Sequence, residues 1–125
     1  MLKTGAKPGP VWCLGTMSGT SLDGVDAAAL FTDGHAILDF GPSAYRPYTP
    51  AERGTIHQAL GRWQGQDGVA EAAEVVETAH AELLSALLAD LPGGADEVLI
   101  GFHGQTLAHD PNGQHGARRT HQAGD

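Results

Sequence analysis

The chain has 125 residues, with seven Lys and Arg against fifteen Asp and Glu, a net charge of −8 and a pI near 5.1. That balance argues against a nucleic-acid or anionic-membrane partner, both of which reward clustered cations, and only Arg118 and Arg119 are adjacent basic residues. A single cysteine, Cys13, excludes an internal disulfide and a CxxC zinc site, while the polar start MLKTGAKPGP is unlike an export signal or a membrane span, so the expectation is one small, soluble, cytoplasmic unit.

In chain order, residues 1–10 are rich in Gly, Pro and Lys and read as a disordered lead, with the folded part running from 11 to 125. The segment VWCL (11–14) ends a buried strand and makes Cys13 a buried structural thiol, and VDAAALF (25–31) is the next strand. Between them, residues 15–26 (GTMSGTSLDGVD) combine glycines, hydroxyls and two carboxylates in a turn, the composition of a phosphate-holding loop. Gly19 and Gly24 occupy the glycine positions of a GxxxxGK[ST] loop, but Val25 and Asp26 stand where Lys and Ser or Thr are needed, and a strand follows instead of a helix. A lysine-free loop must meet phosphate charge with backbone donors and a metal ion, for which Asp23 and Asp26 are the nearby carboxylates. The same composition also suits a plain glycine-rich hairpin with Asp in a turn position.

A turn at 32–35 (TDGH) leads into a third antiparallel strand over 36–45, completing a meander. Prolines keep 45–50 extended, and Thr49 followed by Pro50 and Glu52 starts a short helix over about 51–60. From 67 to 91, Val69, Ala72, Ala73, Val76, His80, Leu83, Leu84, Leu87, Leu88 and Leu91 recur at three- and four-residue steps, which predicts one long amphipathic helix packed on the sheet. Pro92, Gly93 and Gly94 end it, and VLIGF (98–102) predicts a short strand buried in the middle of a sheet.

Directly after that strand stand His103, Gly104, Gln105 and Thr106, at the carboxyl end where open α/β sheets bind ligands. Donors and acceptors without fixed charge suit a hydroxylated sugar, and Gly104 lets a ligand approach the backbone, although the same residues also suit a polar turn that caps its neighbours. His103, His109, His115 and His121 recur every six residues; such steps share no helix face, and Pro111, Asn112, Gly113 and Gly116 interrupt any strand that would align all four. They read as scattered surface or turn histidines rather than a metal cluster, with a hairpin turn at 110–116 and a returning strand at 118–123.

The stretches MSGTSLDGVDAAAL (17–30) and IGFHGQTLAHDP (100–111) resemble, in the same order, the N-terminal part of the anhydro-N-acetylmuramic acid kinase family, within the superfamily of sugar kinases, heat-shock-70 chaperones and actin. The resemblance implies an α/β fold: a ribonuclease-H-like (actin-like ATPase) lobe with a mixed sheet, an antiparallel N-terminal meander and packed helices. The lobe is expected to be incomplete in this chain, because the family's members are considerably longer and have two lobes. By resemblance, Gly19, Thr20, Ser21, Leu22, Asp23, Gly24, Val25 and Asp26 bind ATP, Asp23 meets its Mg²⁺, and His103, Gly104, Gln105 and Thr106 bind the sugar, with Thr106 the foremost contact.

The implied reaction uses ATP and water to open the 1,6-anhydro ring of anhydro-N-acetylmuramic acid and phosphorylate the 6-hydroxyl, giving N-acetylmuramate 6-phosphate in cytoplasmic cell-wall recycling. The full-length enzyme is expected to be able to form a homodimer. The family's general base is an aspartate further downstream, so no catalytic residue is assigned in this sequence and the chain by itself is expected to be inactive. The alternative is a non-catalytic nucleotide-binding module of the actin or heat-shock-70 type, which would have no use for the sugar-side HGQT. A third expectation, a chain that folds and binds nothing, follows from the two-lobed grip on ATP in this superfamily.

Overall fold

The computed structural model describes residues 9–92, 97–114, 116 and 119–124. Three strands come first, β1 (Val11–Ser18), β2 (Gly24–Thr32) and β3 (Ile37–Pro47), paired as an antiparallel meander. Two helices, α1 (Pro50–Ala59) and α2 (Val69–Ala89), lead to β4 (Val98–Asp110) and β5 (Arg119–Ala123). The sheet order is β3-β2-β1-β4-β5, with β4 parallel to β1 and β5 antiparallel to β4. The result is a mixed α/β arrangement. Among the described residues no helix is long and apolar enough to cross a membrane.

Strand alternation decides which face the helices cover. Leu14, Thr16 and Ser18 of β1 and Val25, Ala27 and Ala29 of β2 are buried, while Gly15, Met17, Asp26 and Ala28 between them are exposed on the opposite, open face. The α2 stripe follows the expected spacing: Val69, Ala72, Val76, His80, Leu83 and Leu87 are buried, Ala73, Leu84 and Leu88 pack against that core, and Ala79 joins them. Gly93 and Gly94 lie outside the described residues, as do the first eight residues of the expected lead.

Helix α1 begins as its sequence predicts. The Thr49 hydroxyl accepts the Glu52 N–H at 3.1 Å, and the Glu52 carboxylate accepts the Thr49 N–H at 2.8 Å, with Pro50 in the first turn. Arg46 donates to both Glu52 oxygens, at 2.6 and 3.0 Å, and to Glu82 of α2 at 3.0 Å, so the end of β3 is tied to both helices. The guanidinium holds the Glu52 carboxyl below the usual carboxylate range.

His80 is 1 % exposed and stacks obliquely on Phe102, with ring centroids 4.4 Å apart. Its Nδ1 donates to the Val76 carbonyl at 2.7 Å, and its buried Nε2 has no hydrogen-bond partner. Burial pushes the ring below its ordinary value of 6.5, and the Val76 carbonyl offsets only part of that. The unfolded chain takes up a proton near that value while the fold resists it, so the neutral ring's stability is complete above it and lost as pH falls. Urea unfolding at about pH 7.5 and pH 5.5 should show the parent losing more stability on acidification than His80→Leu. Equal losses would remove His80 as the cause.

Four expectations are corrected. Strand β1 runs on to Ser18 and β2 starts at Gly24, so the turn between them is only residues 19–23. Strand β4 does not stop at Phe102 but continues through Asp110, so HGQT lies within a strand and not in a turn after it. The segment 98–102 is not buried: Leu99 is 42 % and Ile100 49 % exposed, because α2 packs mainly on β2 and β3 and β5 pairs only with Gln105 onward. Cys13, expected to be buried, is only half-buried, because strand alternation puts it on the open face of β1, away from the helices.

Candidate functional site

The first expected element is a compact turn. The Gly19 carbonyl accepts the Leu22 N–H at 3.1 Å, and the Asp23 carbonyl accepts the Tyr48 N–H at 2.8 Å. Leu22 takes a left-handed φ of 58°, which turns its side chain into the core and leaves Thr20, Ser21 and Asp23 exposed. Val25 is fully buried, and Asp26 lies on the open face of β2. Of the eight residues expected at a nucleotide, then, only Thr20, Ser21 and Asp23 present side chains to solvent at the turn.

The two glycines flanking the turn differ. A Cβ on Gly24 would fall 2.4 Å from the Arg46 carbonyl oxygen and 2.8 Å from Pro47 Cα, so the passing β3 backbone requires glycine there. A Cβ on Gly19 would meet nothing nearer than the Ser21 hydroxyl at 3.9 Å, and its φ is not positive. The fold leaves the glycine at 19 unexplained.

The second element owes its shape to two slips in β4. Thr16 pairs with Phe102 but Ser18 with Gln105, which inserts one extra residue at His103–Gly104, where Gly104 has φ 73°. Thr106 pairs with Gln122 but Ala108 with His121, which inserts a second at Leu107. Each bulge reverses the alternation. His103, Thr106 and His109 therefore share the open face at three-residue steps, whereas Gln105 and Leu107 turn into the core. As expected, the breaks after Asp110 keep the four histidines off one strand: β4 holds only His103 and His109. His121 instead stacks on Trp63, which also carries Arg119 at 3.8 Å, and His115 lies outside the described residues.

Gln105, completely buried, is an internal strut. Its Oε1 accepts the Ser18 hydroxyl at 2.5 Å, so the Tyr48 hydroxyl, 2.8 Å from Ser18 Oγ, is the donor to Ser18. Burial holds the Tyr48 phenol above its ordinary value, which keeps that proton in place. Ser18, Tyr48 and Gln105 thus join β1, the approach to α1 and β4 directly beneath the turn.

On the open face, Thr106 donates to Gln122 Oε1 at 2.5 Å, Gln122 Nε2 donates to the His103 carbonyl at 3.0 Å, and His109 Nδ1 lies 2.7 Å from the Thr120 hydroxyl. With Thr20 of the turn and Phe102, these side chains line a depression of about 690 Å³. Among the described residues its lining has no carboxylate and no ammonium, and its polar groups are hydroxyl, amide and imidazole beside one aromatic ring. Sequence reasoning did not assign Ser18, Tyr48, His109, Thr120 or Gln122. Strand pairing opposite Thr106 and His109 was the signal for Gln122 and Thr120, while the inward Ser18 was masked by the hydroxyl-rich run around it. Among the described residues no group of three His, Cys, Asp or Glu gathers to hold a metal ion.

The family model described as anhydro-N-acetylmuramic acid kinase matches residues 11–125. An anhydro-N-acetylmuramic acid kinase of Cereibacter sphaeroides is 62 % identical over 118 residues, which cover 94 % of this chain and 29 % of the relative. One of Ruegeria sp. strain TM1040 is 57 % identical over 106 residues, covering 85 % of this chain and 26 % of the relative, and one of Rhodopseudomonas palustris strain HaA2 is 46 % identical over 121 residues, covering 90 % and 32 %. The chain thus spans less than a third of the length of these relatives. A match that takes in the turn, both slips of β4 and the returning β5 leaves one assignment: the chain belongs to the anhydro-N-acetylmuramic acid kinase family.

Proposed function

We propose that this chain supplies the phosphate turn and one wall of the sugar site of a kinase that uses ATP and water to convert 1,6-anhydro-N-acetylmuramic acid to N-acetylmuramate 6-phosphate in the cytoplasm, during cell-wall recycling. The observation that carries this reading is that Thr20 of the turn and His103 and Thr106 of HGQT line one open depression. A polyphosphate that comes close to the backbone gives a reason for the glycine at 19, where the fold gives none. The antiparallel meander followed by a β4 parallel to β1 supports a ribonuclease-H-like lobe, although β5, a hairpin return of β4, is antiparallel.

In this reading the roles divide. Backbone groups at Gly19 to Ser21 and the Thr20 and Ser21 hydroxyls hold the phosphates, and Thr106 and His103 orient the sugar's hydroxyls. Gln105 acts by fixing β4 to Ser18 and does not touch the substrate. Mg²⁺ arrives with ATP and screens phosphate charge; a single exposed carboxylate, Asp23, suits such a shared ion, which commonly takes one or two protein oxygens and keeps its waters. Phosphoryl transfer is largely positioning and charge stabilisation. The general base that activates water comes from a segment this chain does not hold, so the chain alone is inactive, and homodimer formation belongs to the longer enzyme.

The test is ADP release with 1,6-anhydro-N-acetylmuramic acid, run on the chain alone and on a chimera in which it replaces the matching segment of the Cereibacter sphaeroides relative. Turnover by the chimera only is the expected result. Mg-ATP binding without turnover in the chimera would favour the non-catalytic nucleotide module instead.

A further inference from the structure

We propose that the Arg53 guanidinium is the cationic partner of the nucleotide's phosphates at the turn of residues 19–23, an inference that rests on the kinase reading above. The turn holds no lysine, and a chain of net charge −8 repels a triphosphate unless a cation stands at the point of contact. Cations are few. Lys3, Lys7 and Arg118 lie outside the described residues. Of the others, Arg46 is held by Glu52 and Glu82, Arg62 by the Asp67 carbonyl at 2.6 Å, and Arg119 by the face of Trp63.

Arg53 is different in kind. It sits in the first turns of α1, its own N–H bonded to the Thr49 carbonyl at 2.9 Å, and its Nε donates to the Leu22 carbonyl at 3.1 Å. One edge of the guanidinium is thereby fastened to the turn, and among the described residues its terminal nitrogens meet only Asp23. Their ion pair is a long one, Nη2 to Asp23 Oδ1 at 3.9 Å, between side chains 50 % and 63 % exposed. A pair so open to water holds its members weakly. A planar fork of N–H donors, anchored through a third nitrogen, matches phosphate oxygens in a way that a flexible ammonium does not. When a metal-bound phosphate arrives, Asp23 can turn to the metal and Arg53 to the phosphate, each exchanging a weak partner for a stronger one.

The rival role is a prop: Arg53 would do no more than hold Leu22 in its left-handed conformation. Two variants separate these roles, because Arg53→Lys keeps the charge but loses the planar anchor, and Arg53→Gln loses the charge. The 125-residue chain and both variants are titrated with inorganic tripolyphosphate and followed by NMR at the amides of residues 19–23. Saturable shifts are expected in the parent, with affinity at least about tenfold weaker in Arg53→Gln and intermediate in Arg53→Lys. Equal affinity in all three, or equal loss in both variants, overturns the role of Arg53 while the turn remains a phosphate site. No response of these amides in the parent overturns the phosphate reading itself.

Discussion

Gly104→Ala is expected to destabilise the chain by about 3 kcal/mol or more, the combined cost of a strained backbone and a collision with main chain. The φ of 73° at Gly104 is costly for any residue with a Cβ, and an ideal Cβ there would lie 2.3 Å from the Ala123 carbonyl oxygen. That oxygen belongs to β5, whose pairing with β4 begins at Gln105 and Ala123. The neighbour cannot rotate away as a side-chain tip could, so β5 must separate from β4 or the bulge must straighten. Either change moves Gln122 and Thr120 away from Thr106 and His109. In thermal unfolding followed by circular dichroism, the midpoint should fall by about 10 °C or more. An unchanged midpoint would mean that the left-handed bulge is not what the strand adopts.

The second large effect is expected at Gly24→Ala, also about 3 kcal/mol, for a different reason. Its backbone is unremarkable, but the added Cβ would lie 2.4 Å from the Arg46 carbonyl oxygen and 2.8 Å from both Pro47 Cα and the Tyr45 ring. Strand β3 cannot simply retreat: Arg46 is clamped by Glu52 and Glu82, and Tyr48 N–H is bonded to the Asp23 carbonyl. Gly19→Ala is the internal control, since its Cβ meets only the Ser21 hydroxyl, at an ordinary 3.9 Å. The two variants should diverge, Gly24→Ala in urea unfolding and Gly19→Ala only in nucleotide binding. Comparable losses of stability in both would show that the turn needs glycine for its own shape, which would weaken the case for a phosphate there.

How far the sequence was readable depended on whether one periodicity governed a segment. Helix α2 has a single buried face along its whole length, so its Val, Ala and Leu positions declared it, and Thr49, Pro50 and Glu52 declared the start of α1. In β4 the period breaks twice, and neither break leaves a mark beyond a glycine that resembles a turn residue. Four polar residues after an apolar run therefore looked like the end of a strand when they continue it. Gln105 looked like a partner of His103 and Thr106, yet one inserted residue sends it to the opposite face. Within the turn, composition marked where the hydroxyls are but not which way they point, so Leu22 and Val25 were grouped with the exposed Thr20 and Ser21.

The half-buried Cys13 has a practical consequence. As the sole thiol of the chain, on the sheet face that the helices leave open and between Leu30 and Leu99 on the adjacent strands, it admits one fluorophore at one defined address. An environment-sensitive dye at that position turns whatever comes to rest on the uncovered face into an optical signal, without a single engineered substitution.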